Sequence, residues 1–289
     1  MDALTVVDLV IAGVLTGMLY GLMALGLSVI FGVVRVVNFA HGEMMTIAMY
    51  AAVMLFSAWQ VDPFLAAIPI GAGFFALGYL MQAGLINPFI TRPEHSQFML
   101  MVAVAIIMVN GMLMAFGPDA RNVQIGYQLE SWEIGKILLD KPRVYAAAMA
   151  LATSAALFAF FKFTRNGKAI RACADNHLGA LVVGLDVKHL YALTFGLGSA
   201  CLSVAGSMMI LLVDVTPALG PSYTLLAFVI VIVGGLGSMP GALLGGVLIG
   251  ASEALAGLFI TPSAKSMFSF GLLILVLLFR PQGLLGRKP

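Results

Sequence analysis

The sequence predicts an all-α protein, a polytopic bundle of membrane helices. Three observations carry this. Of 289 residues, 61% are hydrophobic and only 10% charged, whereas a soluble domain is about half apolar and about a quarter charged. The mean hydropathy is +1.05. Apolar runs recur along the whole chain with no linker between them, so residues 1–289 read as a single transmembrane domain. At 1.5 Å per residue, crossing a hydrocarbon core of about 30 Å takes about 20 residues, which leaves room for roughly eight to ten membrane segments.

The first run extends from about Thr5 to Val34, with Asp2 and Asp8 near its start and Arg35 as the first basic residue. A cleaved signal peptide opens on basic residues and has a shorter apolar core, so this run is expected to stay. Further runs cover about Met44 to Trp59, Phe64 to Ile86, Phe98 to Phe116, Val144 to Phe163, Tyr191 to Val213, Thr224 to Val233, Ala242 to Phe259 and Met267 to Phe279. Several are short for a full crossing. Non-helical backbone at membrane depth is tolerated only where protein or water covers it, so these interrupted runs predict broken or re-entrant helices. Gly13, Gly17 and Gly21, and the pairs Gly241 with Gly245 and Gly246 with Gly250, fall four residues apart. Small residues at that spacing let helices approach closely in lipid, within the chain or against a partner.

Between the first two runs lies Asn38-Phe39-Ala40-His41-Gly42-Glu43, the most polar short sequence inside the apolar part. An ionisable pair near a membrane is costly unless partnered, which makes His41 and Glu43 functional candidates. The structural alternative is that Asn38, His41 and Glu43 satisfy the broken backbone between two helices and cap the second. The segment Gly234-Gly235-Leu236-Gly237-Ser238-Met239-Pro240-Gly241 looks like a nucleotide loop but lacks its lysine and hydroxyl. A tight turn between two half-length helices accounts for Gly234, Gly235, Gly237, Pro240 and Gly241 better.

From about residue 162 to 190 the pattern turns amphipathic. Lys162, Arg165, Lys168 and Arg171 recur every three residues, and Ile170, Ala174, Leu178, Leu181 and Val182 supply apolar positions at near-helical spacing. A short helix along the membrane surface is expected. Its basic residues would hold lipid headgroups, or its small-residue surface through Arg171, Asp175, Ala180 and Gly184 would dock into a protein groove. Both this segment and the tail with Arg280, Arg287 and Lys288 read as cytoplasmic. Four apolar runs separate them, an even number, so the two placements agree. The stretch from Gly117 to Arg143 then lies outside, with Arg121, Lys136, Lys141 and Arg143 balanced by Asp119, Glu130, Glu133 and Asp140. The side of the N-terminus is undetermined.

Within the runs, Asn110, Ser199, Ser203 and Glu253 stand out; Asn110 is expected to bond across helices and Glu253 to lie near an outer interface. His95, His177 and His189 lie in separate loops, so no metal site is expected. Cys173 and Cys201 exclude a disulfide framework. A net charge of +2 without a dense basic face argues against nucleic acid as a partner. No nucleophile, base and orienter stand together, and no enzyme activity or cofactor is expected.

Four of these segments, in order, carry a family resemblance: Val36 to Glu43, Asn166 through Gly184-Leu185-Asp186, Gly234 to Gly241, and Arg280-Pro281-Gln282-Gly283-Leu284. Together they resemble the permease subunits of branched-chain amino acid ABC importers, of the shorter permease type, over nearly the whole chain. The resemblance implies half of a translocation path for amino acids in the bacterial inner membrane. It implies a second related permease, two cytoplasmic ATPase subunits and an extracytoplasmic binding protein as partners, beside membrane lipid. It places ATPase coupling at Arg171, Asp175, Ala180 and Gly184, and Asn38, His41 and Glu43 on the path or at a helix break. Cys173, Asn176 and His177 depart from the pattern. The competing reading is a stand-alone secondary transporter or channel for a small polar solute such as urea, with Glu253 or Glu43 as the intramembrane carboxylate for a coupling ion.

Overall fold

The computed structural model describes residues 3–259 and 265–286. Arg287 and Lys288, counted above in the basic tail, lie outside the described residues. In chain order the helices are α1 (Ala3–Val34), α2 (His41–Trp59), α3 (Pro63–Leu80), α4 (Glu94–Phe116), α5 (Lys141–Phe163), α6 (Arg165–Asp175), α7 (His177–Val182), α8 (Val187–Met209), α9 (Leu219–Gly234), α10 (Met239–Phe259) and α11 (Lys265–Phe279). Among the described residues, seven helices are long and apolar enough to cross a membrane, and α9 and α11 add two shorter apolar helices. The total falls within the expected eight to ten segments.

α1 is the axis of the bundle, and its side chains from Leu19 to Ile30 are almost wholly buried. It packs antiparallel on α10 and also touches α8, α5 and α9. The glycine spacing explains the first of these contacts. A Cβ on Gly17 would meet the Gly246 carbonyl at 2.7 Å, and one on Gly13 the Gly250 carbonyl at 2.7 Å. The two glycine rows therefore bring the backbones of α1 and α10 together inside one chain. α3 continues beyond Leu80 through a π-helical turn, Met81–Ile86, and a 3-10 turn, Asn87–Phe89. There Gln82 donates to Asn87, and Asn87 donates to the Lys188 carbonyl, tying this end of α3 to the start of α8.

The two ends of the bundle differ. At one end lie α6, α7, the end of α1 and the α9–α10 turn, with the tail bonded beside them through Leu284 N to Val233 O at 2.9 Å. The described tail and the segment from 162 to 190 thus share one end. The opposite end carries a feature that an all-α reading did not anticipate, a hairpin of β1 (Ser131–Ile134) and β2 (Ile137–Asp140). Its strands are antiparallel, with Ser131 opposite Asp140, and Gly135 at φ +69 supplies the left-handed turn. The loop before the hairpin is pinned by the Tyr127 hydroxyl, which donates to the Asp62 carboxylate at 2.8 Å. Leu138 N donates to Asp8 Oδ1 at 3.4 Å, so α1 begins at the hairpin end. This fixes what the sequence left open, the side of the N-terminus relative to α6.

Asn110 corrects an expectation. Its Nδ2 donates to Ile106 O of its own helix, on an exposed face, and not across helices. Glu253 accepts a hydrogen bond from Ser269 at 2.7 Å, joining α10 to α11.

Candidate functional site

α1 ends at Val34, and Arg35 takes a left-handed conformation at φ 59. The chain then runs back along α1. The next helix begins at His41, whose Nε2 lies 3.0 Å from the carbonyl of Met23. Met23 precedes Val34 by 34 − 23 = 11 residues, which at 1.5 Å per residue is about 16 Å along the axis. α2 therefore starts near the middle of the bundle, and residues 35–40 form the predicted re-entrant break.

Short polar contacts hold this break. Asn38 Oδ1 accepts from Ala40 N at 3.0 Å, an Asx-type turn. His41 is wholly buried, and its bond to Met23 requires the proton on Nε2, which leaves Nδ1 buried with no hydrogen-bond partner. The expected cap of α2 is supplied differently. The N-cap residue is Ala40, with no side-chain cap, and Asn38, His41 and Glu43 do not take that place. Thr224 of α9 does so across the bundle, its hydroxyl accepting from Gly42 N at 2.8 Å. The same hydroxyl lies 3.1 Å from Glu43 Oε2 and 3.4 Å from the Phe39 carbonyl.

Glu43 is 3% exposed, and among the described residues no cationic side chain pairs with it. The first turns of α2 and α9 converge on it, because a Cβ on Gly220 would meet the Glu43 Cα at 3.0 Å. Glu43 thus lies in the first turn of α2, near that helix's positive end, with the first turn of α9 packed against it. Sequence reasoning found Glu43 and missed Thr224, a lone hydroxyl in an apolar run with no local signal.

A cavity of about 1490 Å³ opens at the α6 end. It is walled by the end of α1, residues Arg35, Val37 and Phe39 of the break, the start of α4, the outer face of α6 and the turn from Leu236 to Pro240. At its inner side Phe39 meets Phe98 edge-on, with ring centroids 4.7 Å apart, and Phe228 at 5.3 Å. This aromatic cluster comes from three elements, and spacing in the sequence gave no hint of it.

The turn from Gly234 to Gly241 joins α9 to α10. Gly235 at φ +106 and Gly237 at φ +76 require glycine. Ser238 Oγ accepts from Gly241 N at 3.2 Å, and Pro240 sits in the first turn of α10, where no intrahelical N–H bond is lost. Gly237 packs on Gly32 at the end of α1, while Gly235 packs on the tail at Gly283 and Gly286.

The amphipathic segment forms two short helices, where one was expected. Lys162 belongs to α5, so the basic row is split at Thr164, which caps α6 by accepting from Gly167 N at 3.0 Å. Gly167, Ile170 and Cys173 face the bundle, and Arg171 and Asp175 face out toward the cavity. Burial holds the Cys173 thiol above its usual range, the Tyr191 hydroxyl partly opposing it. Asn176 caps α7 through Gly179 N at 2.9 Å. One of the four proposed docking residues stands otherwise than expected. Ala180 is buried, facing the bundle. Gly184 is exposed, with nothing of this chain near an added Cβ, and its φ of +82 ends α7. The exposed surface is apolar: Leu178, Leu181, Val182 and Val183, with Val182 86% exposed.

Residues 9–277 match the family described as "Branched-chain amino acid transport system / permease component". The chain belongs to that family. It is 30% identical to the high-affinity branched-chain amino acid transport system permease protein LivH of Escherichia coli strain K12, over 95% of this chain and 94% of that protein. The corresponding BraD protein of Pseudomonas aeruginosa is 28% identical, with the same coverage of both chains. A probable LivH of Methanocaldococcus jannaschii is 25% identical over 92% of this chain and 88% of its own length. The family resemblance drawn from the four motifs thus agrees with similarity along the full length.

Proposed function

We propose that this chain is one permease subunit of an ATP-driven importer and lines half of a translocation path for amino acids. The observation that carries this reading is the family match over residues 9–277, joined to a bundle whose middle contains a broken helix. The α6 end is taken to face the cytoplasm, because Lys162 at the end of α5, the basic residues of α6 and Arg280 gather there, while Lys141 and Arg143 at the other end of α5 are paired with Glu130 and Asp140. The hairpin end, with the start of α1, faces outward, toward a binding protein that delivers substrate.

A second, related permease completes the path, and two ATPase subunits supply energy from the cytoplasm. α6 and α7 support that partnership. Leu178, Val182 and Val183 form an apolar patch at the end of the chain that faces water, where such a surface costs free energy unless a partner covers it. Arg171 and Asp175 flank it with charge. Lipid headgroups would be served by Arg165 and Lys168 alone and leave the apolar patch unexplained. Ala180 stands behind the contact, and Gly184 is exposed at the end of α7 beside Val182 and Val183.

The test is copurification in mild detergent from native membranes. A complex of this chain with a related permease and two ATPases supports the reading. A preparation of this chain alone that drives solute flux from an ion gradient overturns it.

A further inference from the structure

Glu43 is the feature that helix packing leaves unexplained. A buried carboxylate needs hydrogen bonds and a positive charge, or it carries a proton. Here it has one hydroxyl at 3.1 Å and a backbone N–H at the start of α2, but no cationic side chain among the described residues. A structural role in closing the break would be served as well by glutamine or serine. Beside it, the rings of Phe39, Phe98 and Phe228 cluster at the edge of the open cavity, and Phe39 joins the two regions: it lines the cavity while its carbonyl lies 3.4 Å from the Thr224 hydroxyl.

We infer that Glu43 and the Phe39–Phe98–Phe228 cluster form a transient substrate subsite in the path, fitted to an α-amino acid with an apolar side chain. The carboxylate takes the ammonium group of the substrate, and the rings take the side chain while closing the path toward the cavity. This rests on the permease reading and adds to it the residues that meet the substrate. In the present conformation the subsite is filled by the protein itself, since Gly220 and Thr224 of α9 lie against Gly42 and Glu43. For substrate to enter, α9 must draw away from α2. At the level of Glu43 the contact between them consists of Gly42, Gly220 and the Thr224 hydroxyl. α9 ends at the glycine turn that borders the cavity and α6, so motion on the cytoplasmic side reaches the subsite through a single helix. As the ammonium arrives, Thr224 leaves the carboxylate and the ion pair replaces its hydrogen bond.

The experiment uses the complete transporter with its binding protein in proteoliposomes, reading leucine import and stimulated ATP hydrolysis together. Glu43→Gln keeps the size and the hydrogen bond to Thr224 but removes the charge. The expected result is at least a tenfold loss of import per ATP hydrolysed, with stimulated hydrolysis retained and Glu43→Asp partly restoring import. Wild-type import by Glu43→Gln overturns the subsite, as does an equal loss of import, hydrolysis and assembled complex, which is the signature of a structural residue. A second variant, Phe98→Ala, changes a half-exposed ring that the bundle does not need. It is expected to raise hydrolysis without binding protein, or to leak substrate outward, because the closure is lost; wild-type values for both overturn the role given to the rings. If the wild-type complex itself imports nothing, the permease reading fails, and the subsite falls with it.

Discussion

Thr224 is the residue on which the break depends. Its hydroxyl receives the Gly42 N–H and bonds Glu43, so Thr224→Val, which keeps the shape, strands a buried donor and a carboxylate oxygen at once. The expected cost is about 1–3 kcal/mol for the unsatisfied groups, read as a lower Tm of the purified protein; an unchanged Tm would show that water or another group replaces the hydroxyl. His41→Ala should lower import or assembly more than Gln128→Ala in the hairpin-end loop, because His41 is wholly buried against Met23. At the opposite end, burial and the hydrogen bond to Asp62 push the Tyr127 phenol above its usual range. A group whose pKa is raised by folding stabilises the fold below its unfolded value, near 10 for tyrosine, and loses that contribution as pH rises through the folded value. The tyrosine titration followed by ultraviolet absorbance should therefore contain a late component that is absent from Tyr127→Phe. Polar residues in an apolar setting made Asn38, His41 and Glu43 legible from sequence. Their partners were not, since Met23 and Thr224 lie 18 and 182 residues from the groups they bond and carry no local sign of it.

The helices are held by two kinds of device, and each makes a prediction. On the α1–α10 seam the backbones nearly touch, so Gly17→Ala forces them apart at an expected cost of about 1–3 kcal/mol. Gly111 of α4 has nothing within reach of an added Cβ, so Gly111→Ala is expected to be neutral or to stabilise by up to about 1 kcal/mol. Thermal unfolding of the two variants side by side checks this, and equal destabilisation would contradict the seam. α7 offers the second device. Because Gly184 sits at φ +82, any larger residue there strains the backbone, and Gly184→Trp would mix strain with bulk. Val182→Asp is the cleaner test, placing a charge on the exposed apolar patch without touching the bundle. It should leave the permease inserted and folded while abolishing ATPase binding; retained binding would return this segment to a lipid-anchoring role. The seam was readable because four-residue glycine spacing has one structural meaning on a helix. The split of the basic segment at Thr164 was not, because a regular three-residue spacing of charges continues across a break that a single hydroxyl cap creates. The hairpin was hidden for a similar reason, eight residues of weak alternation in a polar loop.

For the molecule as a whole, the two ends now have different tasks. In the proposed reading the end with α6, α7, the glycine turn and the tail would meet the ATPases, and the end with the hairpin and the start of α1 would face the binding protein. α9 runs from the mid-depth break to the first of these ends, which in the proposed reading would link the ATPases to the path. The all-α class, the membrane setting and the count of segments follow from composition and run length, which are global properties that a sequence states directly. The short runs from Met44 to Trp59 and from Thr224 to Val233 already mark incomplete crossings; what the sequence hides is that the starts of α2 and α9 meet at one point in the bundle. The direct test of the account is ATP-driven amino acid uptake by the purified assembly in proteoliposomes, with and without the ATPase subunits. The account predicts uptake only when this chain, its related permease, the ATPases, ATP and loaded binding protein are all present. Uptake by this chain alone, driven by an ion gradient and indifferent to ATP, would contradict it.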